Sequence, residues 1–194
     1  MNTAKHKNRI LQARNPRTGE IDYSFEVTGE EEIISVVADL RKGQPAWAAM
    51  SLQERAKILS NWADAVASSD ELLQALVTDT GRYFIASAEL GRLSTMVQDW
   101  LKIGETIFAE QIAKQSSAPT VTYKHQLVPF EVVGVIGPWN FPFLITLIDL
   151  VPALMAGSAV VIKPSEITPR FIAPLQKILE QMPALNAVCR FIEG

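Results

Sequence analysis

Three polar residues stand at the edges of apolar segments in the second half of the sequence. Asn140 follows one short apolar run, and Lys163 and Glu166 follow another. A neutral amide can donate a hydrogen bond to developing negative charge without titrating. An ammonium can donate to a sugar hydroxyl or a phosphate, and a carboxylate can accept from a ribose diol. These residue types suit a nucleotide, and Gly134 and Gly137 would let the backbone approach it closely.

The residues alone leave a nucleotide site and the rim of an ordinary α/β core as equal alternatives. The usual dinucleotide fingerprint, G-x-G-x-x-G, is absent from the sequence. Trp139 could serve only as a packing anchor. Asn140 could cap the helix that is expected to begin near Pro142, or it could both cap and donate.

The elements that must position these residues have the pattern of a parallel sheet with crossover helices. Apolar strand runs and helical patterns alternate in the order 132–136, 142–156, 159–162, 171–182 and 188–192. Thr168 is expected to cap the second of these helices, with Pro169 at its first position and Pro183 at its end. This β-α-β-α-β order with near-continuous apolar strands is typical of a parallel sheet covered on both faces. Ligands bind such sheets beyond the carboxyl ends of the strands, so the polar residues are expected at one edge.

The first half of the chain predicts a β-hairpin and four helices. The hairpin covers residues 9–27 and turns at 15–19. The helices are expected over 29–43, capped by Thr28 with Glu31 and ended by Gly43 and Pro45; over 51–68, capped by Ser51 with Glu54; over 70–80, capped by Asp70; and over 85–112. Residues 120–128 are rich in β formers but carry little apolar mass, which favours an arm on a surface or against another subunit.

Composition excludes several classes of function. The net charge is −3 and no dense Lys/Arg cluster is present, so a nucleic-acid partner is not expected. Residues 141–162 are long enough to span a bilayer, but Asp149 lies near the middle of this segment and argues against a membrane protein. The single Cys189 excludes an internal disulfide and fits a cytoplasmic protein. His6 and His125 are far apart without a cluster of ligands, so no metal site is expected.

Three ordered motifs make the sequence resemble the aldehyde dehydrogenase superfamily. They are PWNFP at 138–142, PALMAG at 152–157 and KPSEITP at 163–169. Weaker matches extend the resemblance over nearly the whole chain, at Asn15-Pro16, Thr18-Gly19-Glu20, Trp47, Arg55, Trp62-Ala63 and Thr80-Gly81-Arg82.

The resemblance implies a role for each matched residue. Asn140 would donate its side-chain amide to the oxyanion that forms when a Cys thiolate attacks an aldehyde. The cofactor-binding residues would be a strand end whose backbone lines the cleft and a group at the adenosine ribose: Ile136, Gly137, Pro138, Trp139, Lys163, Ser165 and Glu166. A carboxylate at Glu166 would repel a 2′-phosphate, so NAD is favoured and NADP is the alternative.

The resemblance also implies a domain organisation. Residues 1–114 would be the hairpin and helices of the cofactor domain, 115–130 a β arm for oligomerisation, and 131–194 the first half of a Rossmann-like NAD(P)-binding sheet. A homo-oligomer or an association with a longer relative follows as an expectation.

The nucleophilic Cys and the general-base Glu of the family lie beyond the matched region, and Cys189 stands inside a strand pattern. We therefore expect the N-terminal portion of an NAD(P)-dependent enzyme that oxidises a small aldehyde to its acid, inactive as this chain alone. The alternatives are a non-catalytic nucleotide-binding or assembly module, and a truncated remnant.

Overall fold

The computed structural model describes residues 9–109 and 113–194. Within them the strands are β1 (Ile10–Arg14), β2 (Ile21–Glu26), β3 (Lys114–Gln115), β4 (Thr122–Tyr123), β5 (Val132–Ile136), β6 (Ala159–Lys163) and β7 (Cys189–Phe191). The helices are α1 (Glu30–Ala48), α2 (Leu52–Ala67), α3 (Asp70–Thr80), α4 (Tyr83–Ala109), α5 (Leu144–Ala156), α6 (Ile172–Glu180) and α7 (Pro183–Asn186). The expected extension of the fourth helix to Ile112 and the residue His6 lie outside the described residues.

Strands β5, β6 and β7 form a parallel sheet in that order. The helix α5 connects β5 to β6, and α6 with α7 connects β6 to β7. The helix α1 contacts all three strands. The predicted α/β class and the predicted β-α-β-α-β order of this region are therefore confirmed.

The three strands differ in burial. In β6, Ala159, Val160 and Ile162 are buried, whereas in β5 only Val135 is buried and Ile136 is 82% exposed. The expectation that every strand is covered on both faces was wrong for β5. The reason is that α1 and α5, which contact β5, leave the carboxyl end of this strand open.

The helices α2 and α3 pack on α4, and the three helices join the sheet through α5 and α6. Their contact is built from fully buried side chains, among them Leu59, Trp62, Leu72 and Leu93. The helical spacing of these positions gives each helix one apolar face, and burying that face stabilises the bundle. Gly81 ends α3 with a φ of 68°, a left-handed conformation that glycine adopts without strain.

The capping prediction at Ser51 is confirmed. Ser51 Oγ accepts from the Glu54 N–H at 3.2 Å, and Glu54 Oε2 accepts from the Ser51 N–H at 2.7 Å. The capping prediction at Thr28 was wrong: α1 is preceded by Gly29 and has no side-chain cap. Thr28 Oγ1 instead accepts from the Glu193 N–H at 2.9 Å, so the hydroxyl has its hydrogen-bond partner just after β7 and not in α1.

Other predicted helix ends also need correction. The first helix does not stop at Gly43 or Pro45 but runs to Ala48, because buried Trp47 in its last turn donates from Nε1 to the Leu154 carbonyl at 2.8 Å. The cap of α3 is Ser69, whose Oγ accepts from the Leu72 N–H at 3.2 Å.

The region around α6 differs from its prediction at both ends. This helix begins at Ile172, not at Pro169, and the N–H of Thr168 donates to the Ser165 carbonyl at 3.2 Å in the preceding turn. Pro183 opens the short α7 instead of ending α6.

The segment 113–130 is largely exposed and contains only the short pair β3–β4. Val128 and Phe130 are 75% and 80% exposed. The arm at 115–130 and its role in oligomerisation stay predictions. No helix among the described residues is long and apolar enough to cross a membrane.

Candidate functional site

The carboxyl ends of β5 and β6 lie side by side. Ile136 is the register partner of Lys163, and the Gly137 N–H donates to the Lys163 carbonyl at 2.9 Å. The turn that carries Asn140 and the turn that carries Glu166 therefore leave the sheet at the same edge. The structure thus brings together the two polar motifs that sequence analysis singled out.

Gly137 is required by the packing of α5 on the sheet. A Cβ at this position would lie 2.0 Å from Thr146 Oγ1, which is a severe overlap. Thr146 is itself buried and donates from Oγ1 to the Pro142 carbonyl at 2.5 Å. The glycine therefore lets the first turns of α5 approach the strand end, and Pro138 beside it is half-buried. At Gly134 a Cβ would meet nothing within 4 Å.

Two large apolar side chains are exposed at this edge. Ile136, the last residue of β5, is 82% exposed, and Trp139, three residues further on, is 57% exposed. Trp139 is therefore not the packing anchor that one interpretation of the sequence offered. Both side chains are accessible to a ligand at this edge, next to the charged groups of Lys163 and Glu166.

Asn140 is exposed, and the structure excludes it as the cap of α5. That helix begins at Leu144, with Phe143 before it and no cap from its own segment. Glu89 of α4 takes the capping position, where Oε2 accepts from the N–H groups of Phe143 and Leu144 at 3.1 and 2.8 Å. The Asn140 side chain is thus left for another role.

Lys163 and Glu166 form an ion pair at the rim. Nζ lies 3.3 Å from Glu166 Oε2, and the two side chains are 32% and 52% exposed. Nζ also donates to the Pro164 carbonyl at 3.2 Å. The backbone N–H of Glu166 and then the Lys163 ammonium lower the pKa of the Glu166 carboxyl, so it is ionised at neutral pH.

Ser165, between these two charges, is buried. Its Oγ accepts from the Ile167 N–H at 3.2 Å, which shapes the turn that presents Lys163 and Glu166. A direct contact of Ser165 with a cofactor stays a prediction.

The single cysteine is not placed for catalysis. Cys189 lies fully buried in β7, and burial raises the pKa of its thiol to about 12. Because the thiolate is the nucleophilic form, this thiol is inert at neutral pH. The interpretation of Cys189 as a small buried residue is confirmed.

Two residues near Asn140 were missed by sequence analysis. Glu89 caps α5, and Arg82 donates from Nη2 to the Asn140 carbonyl. A signal for Glu89 was available: it interrupts the inward stripe of α4 between Ala86 and Leu93, where a charge needs a specific partner. Arg82 stands in the weaker family match Thr80-Gly81-Arg82, but that match assigned it no role.

Comparison with known proteins identifies similar sequences and folds. The family model described as the aldehyde dehydrogenase family matches residues 3–194. The chain is 38% identical to PutA from Anabaena variabilis, which is described as an aldehyde dehydrogenase, with a TM-score of 0.90 over 96% of this chain. It is 25% identical to an NAD-dependent benzaldehyde dehydrogenase from Corynebacterium glutamicum, with a TM-score of 0.85 over 97% of this chain.

A betaine aldehyde dehydrogenase from Staphylococcus aureus, solved in complex with NAD+, shares the fold at 22% identity and a TM-score of 0.84, with 96% of this chain covered. The chain spans 40%, 41% and 38% of the length of these three solved chains, in the order given.

Proposed function

The chain belongs to the aldehyde dehydrogenase family, and from this premise we propose that it forms part of an NAD-binding cleft and supplies the oxyanion donor for aldehyde oxidation. One observation carries the proposal. The hydrogen bond of 2.9 Å from the Gly137 N–H to the Lys163 carbonyl fastens the Asn140 turn and the Lys163–Glu166 pair to one edge of the sheet.

The residues at this edge fit a dinucleotide. Lys163 and Glu166 supply a donor and an ionised acceptor 3.3 Å apart, which matches the two hydroxyl groups of a ribose. Exposed Ile136 and Trp139 supply apolar surface for the flat rings. NAD is favoured over NADP because the ionised Glu166 would repel a phosphate on the 2′ oxygen.

Asn140 provides the chemistry that this chain contributes to the reaction. When a thiolate adds to the carbonyl carbon of an aldehyde, the carbonyl oxygen becomes negatively charged. The exposed side-chain amide of Asn140 donates a hydrogen bond to that oxygen and, being neutral, does so at any working pH. NAD+ supplies the hydride acceptor when bound. The buried Cys189 does not supply the thiolate.

Titration of the purified 194-residue chain with NAD+ and NADP+ by calorimetry tests the proposal. We expect NAD+ to bind more tightly than NADP+, and Lys163→Met and Glu166→Gln each to weaken NAD+ binding about tenfold, as the loss of a charged hydrogen bond does. Lys177→Met is the matched control, because Lys177 forms a similar exposed pair with Glu71 at 2.6 Å on a different part of the surface. NAD+ affinity that is insensitive to Lys163 and Glu166 would contradict the proposal.

A nucleotide-binding or assembly module without aldehyde chemistry is the second candidate, and the burial of the only thiol favours it for this chain alone. NADH formation from a panel of aldehydes tests this second candidate. We expect the purified chain to bind NAD+ without turnover, and turnover that Asn140→Ala abolishes would remove this candidate. Size-exclusion chromatography with and without a longer relative tests whether the exposed segment 113–130 mediates assembly.

A further inference from the structure

The loop between β5 and α5, which carries Asn140, is held by one side chain of α4 and by one from the residue before that helix. Arg82 in front of this helix donates from Nη2 to the main-chain carbonyl of Asn140. Glu89, two turns further on, accepts from the N–H groups of Phe143 and Leu144. Arg82 therefore contacts the residue that bears the donor, and Glu89 contacts the end of the loop; each contact is called a grip below.

The grip by Glu89 satisfies amides that have no partner within their own helix. The first N–H groups of an α-helix cannot bond backward along the helix, and the positive end of the helix dipole lies there. Glu89 Oε2 accepts from two of them, at 3.1 and 2.8 Å. Burial raises the pKa of this carboxyl. The N–H groups of Leu144 and Phe143 and the charge of Arg82 offset only part of this rise.

Glu89 is unusual for a helix cap because only half of its carboxylate is used. The side chain is 2% exposed, and Oε1 has no hydrogen-bond partner among the residues that the structure describes. A buried oxygen without a donor is unfavourable. A glutamine at this position would also supply one acceptor oxygen, so capping α5 does not by itself require a glutamate.

The grip by Arg82 is anchored further back in the fold. Its guanidinium carbon lies 5.2 Å from the centre of the Phe141 ring, so the side chain covers the residue that follows Asn140. Arg82 follows Gly81, whose carbonyl accepts from Arg17 Nε and Nη2 at 3.1 and 2.7 Å. The tip of the N-terminal hairpin therefore fixes the junction from which Arg82 reaches the loop.

We propose that Arg82 and Glu89 are positioning residues that orient Asn140 by holding its loop at two points, the Asn140 carbonyl and the start of α5. The inference rests on the proposed function of Asn140 as the oxyanion donor. Neither residue touches the reacting atoms. Arg82 holds the carbonyl of Asn140 itself, and Glu89 holds the start of α5, so the backbone from which the Asn140 side chain extends is fixed before any ligand binds.

NMR spectroscopy of the 15N-labelled chain tests this inference without turnover or cofactor. Asn140→Asp identifies the two side-chain amide resonances of Asn140. We expect Glu89→Ala to accelerate amide hydrogen exchange at Phe143 and Leu144 at least about tenfold, because the acceptor that both N–H groups share is lost. We also expect it to shift and broaden the Asn140 side-chain resonances. Glu89→Gln retains an acceptor oxygen and is expected to restore both signals.

Arg82→Met tests the second grip and does not disturb the buried core. We expect it to move the Asn140 side-chain resonances while exchange at Phe143 and Leu144 stays unchanged within about twofold, since the Glu89 contacts are intact. Glu105→Ala is the matched control, an exposed carboxylate on the same helix, and should change neither readout. If Glu89→Ala does not fold, Arg82→Met carries the test.

Unchanged Asn140 side-chain resonances in both Glu89→Ala and Arg82→Met would overturn the inference and leave Glu89 as a helix cap alone. With Glu89→Ala unfolded, unchanged resonances in Arg82→Met would overturn it. Because these signals are read without NAD+, a failed NAD+ titration would count against the proposed function and not against the two grips.

Discussion

The loop that follows β6 holds two ion pairs with opposite surroundings. Lys163 and Glu166 are 3.3 Å apart and remain 32% and 52% exposed. Arg170 Nη1 and Asp79 Oδ1 are 2.6 Å apart, with side chains 8% and 0% exposed. Lys163 and Glu166 are open to solvent, so each can contact a ligand in place of the other at a small cost in free energy. Arg170 and Asp79 are closed to ligands, and their contact joins distant parts of the chain.

The buried pair connects three elements. Besides Nη1, the Arg170 N–H donates to Asp79 Oδ2 at 2.9 Å, which ties α3 to the start of α6. Nη2 binds Asp22 of the hairpin, and the guanidinium lies 5.2 Å from the Tyr23 ring centre. The two ion pairs therefore differ in burial: the buried pair joins elements of the fold, whereas the exposed pair is accessible from solvent.

The largest effect is expected from removing the buried cation. Arg170→Met leaves Asp79 without its main partner in the core, which should lower the free energy of unfolding by about 3 to 5 kcal/mol. Urea denaturation followed by circular dichroism measures the change. Lys177→Met, which breaks an exposed pair, should change it by less than about 1 kcal/mol.

A double variant, Arg170→Met with Asp79→Leu, sharpens this result. If the loss arises from a stranded buried carboxylate, the double variant should regain a large part of the stability. A double variant as unstable as the single one would show that packing of Arg170, and not charge, sets the effect.

The second effect is a pH dependence of the free energy of unfolding, and it has opposite signs for the carboxyl groups of Asp79 and Glu166. Burial raises the pKa of Asp79 from 3.8 to about 6, despite the hydrogen bonds and charge of Arg170. The folded state therefore binds this proton more tightly than the unfolded state. The stability contributed by protonated Asp79 is complete below pH 4 and is lost as the pH rises to 6, by about 3 kcal/mol at most.

Urea denaturation of the wild type and of Asp79→Asn between pH 4 and pH 7 measures this contribution as their difference. Glu166 has a lowered pKa and should act in the opposite direction, with its contribution lost as the pH falls. A wild-type stability that rises relative to Asp79→Asn across this range would mean that Arg170 outweighs burial.

The smallest effect is expected at the exposed pair. Lys163→Met should change the free energy of unfolding by less than about 1 kcal/mol, because both partners remain hydrated without each other. Thermal unfolding measures it. A larger loss would assign Lys163 to the scaffold and would weaken the contrast on which the proposed site depends.

Sequence patterns predicted the elements whose signals are local. The capping box at Ser51 and the alternation of strands and helices after residue 131 follow from spacing alone, and both are present. The adjacency of Asn140 and Lys163 also followed, because parallel strands joined by crossover helices end at the same edge.

Features that depend on distant partners could not be predicted in this way. Thr28 has the sequence signature of a cap, but its hydroxyl is bound by Glu193, which no local pattern indicates. Pro45 has the signature of a helix end, but α1 continues because Trp47 finds a buried partner at Leu154. The contact of Arg82 with the Asn140 carbonyl could not be predicted for the same reason, because it forms only when the start of α4 lies beside the loop of Asn140.

The contact between Thr28 and Glu193 has a consequence for the order of folding. The Thr28 N–H donates to the Glu193 carbonyl at 2.7 Å, and the Glu193 N–H returns a hydrogen bond to Thr28 Oγ1 at 2.9 Å. These hydrogen bonds join residues that are 165 positions apart in the sequence, and bringing such distant residues together carries a large loop-closure entropy. We therefore expect this contact to form late in folding, after the local helices and turns.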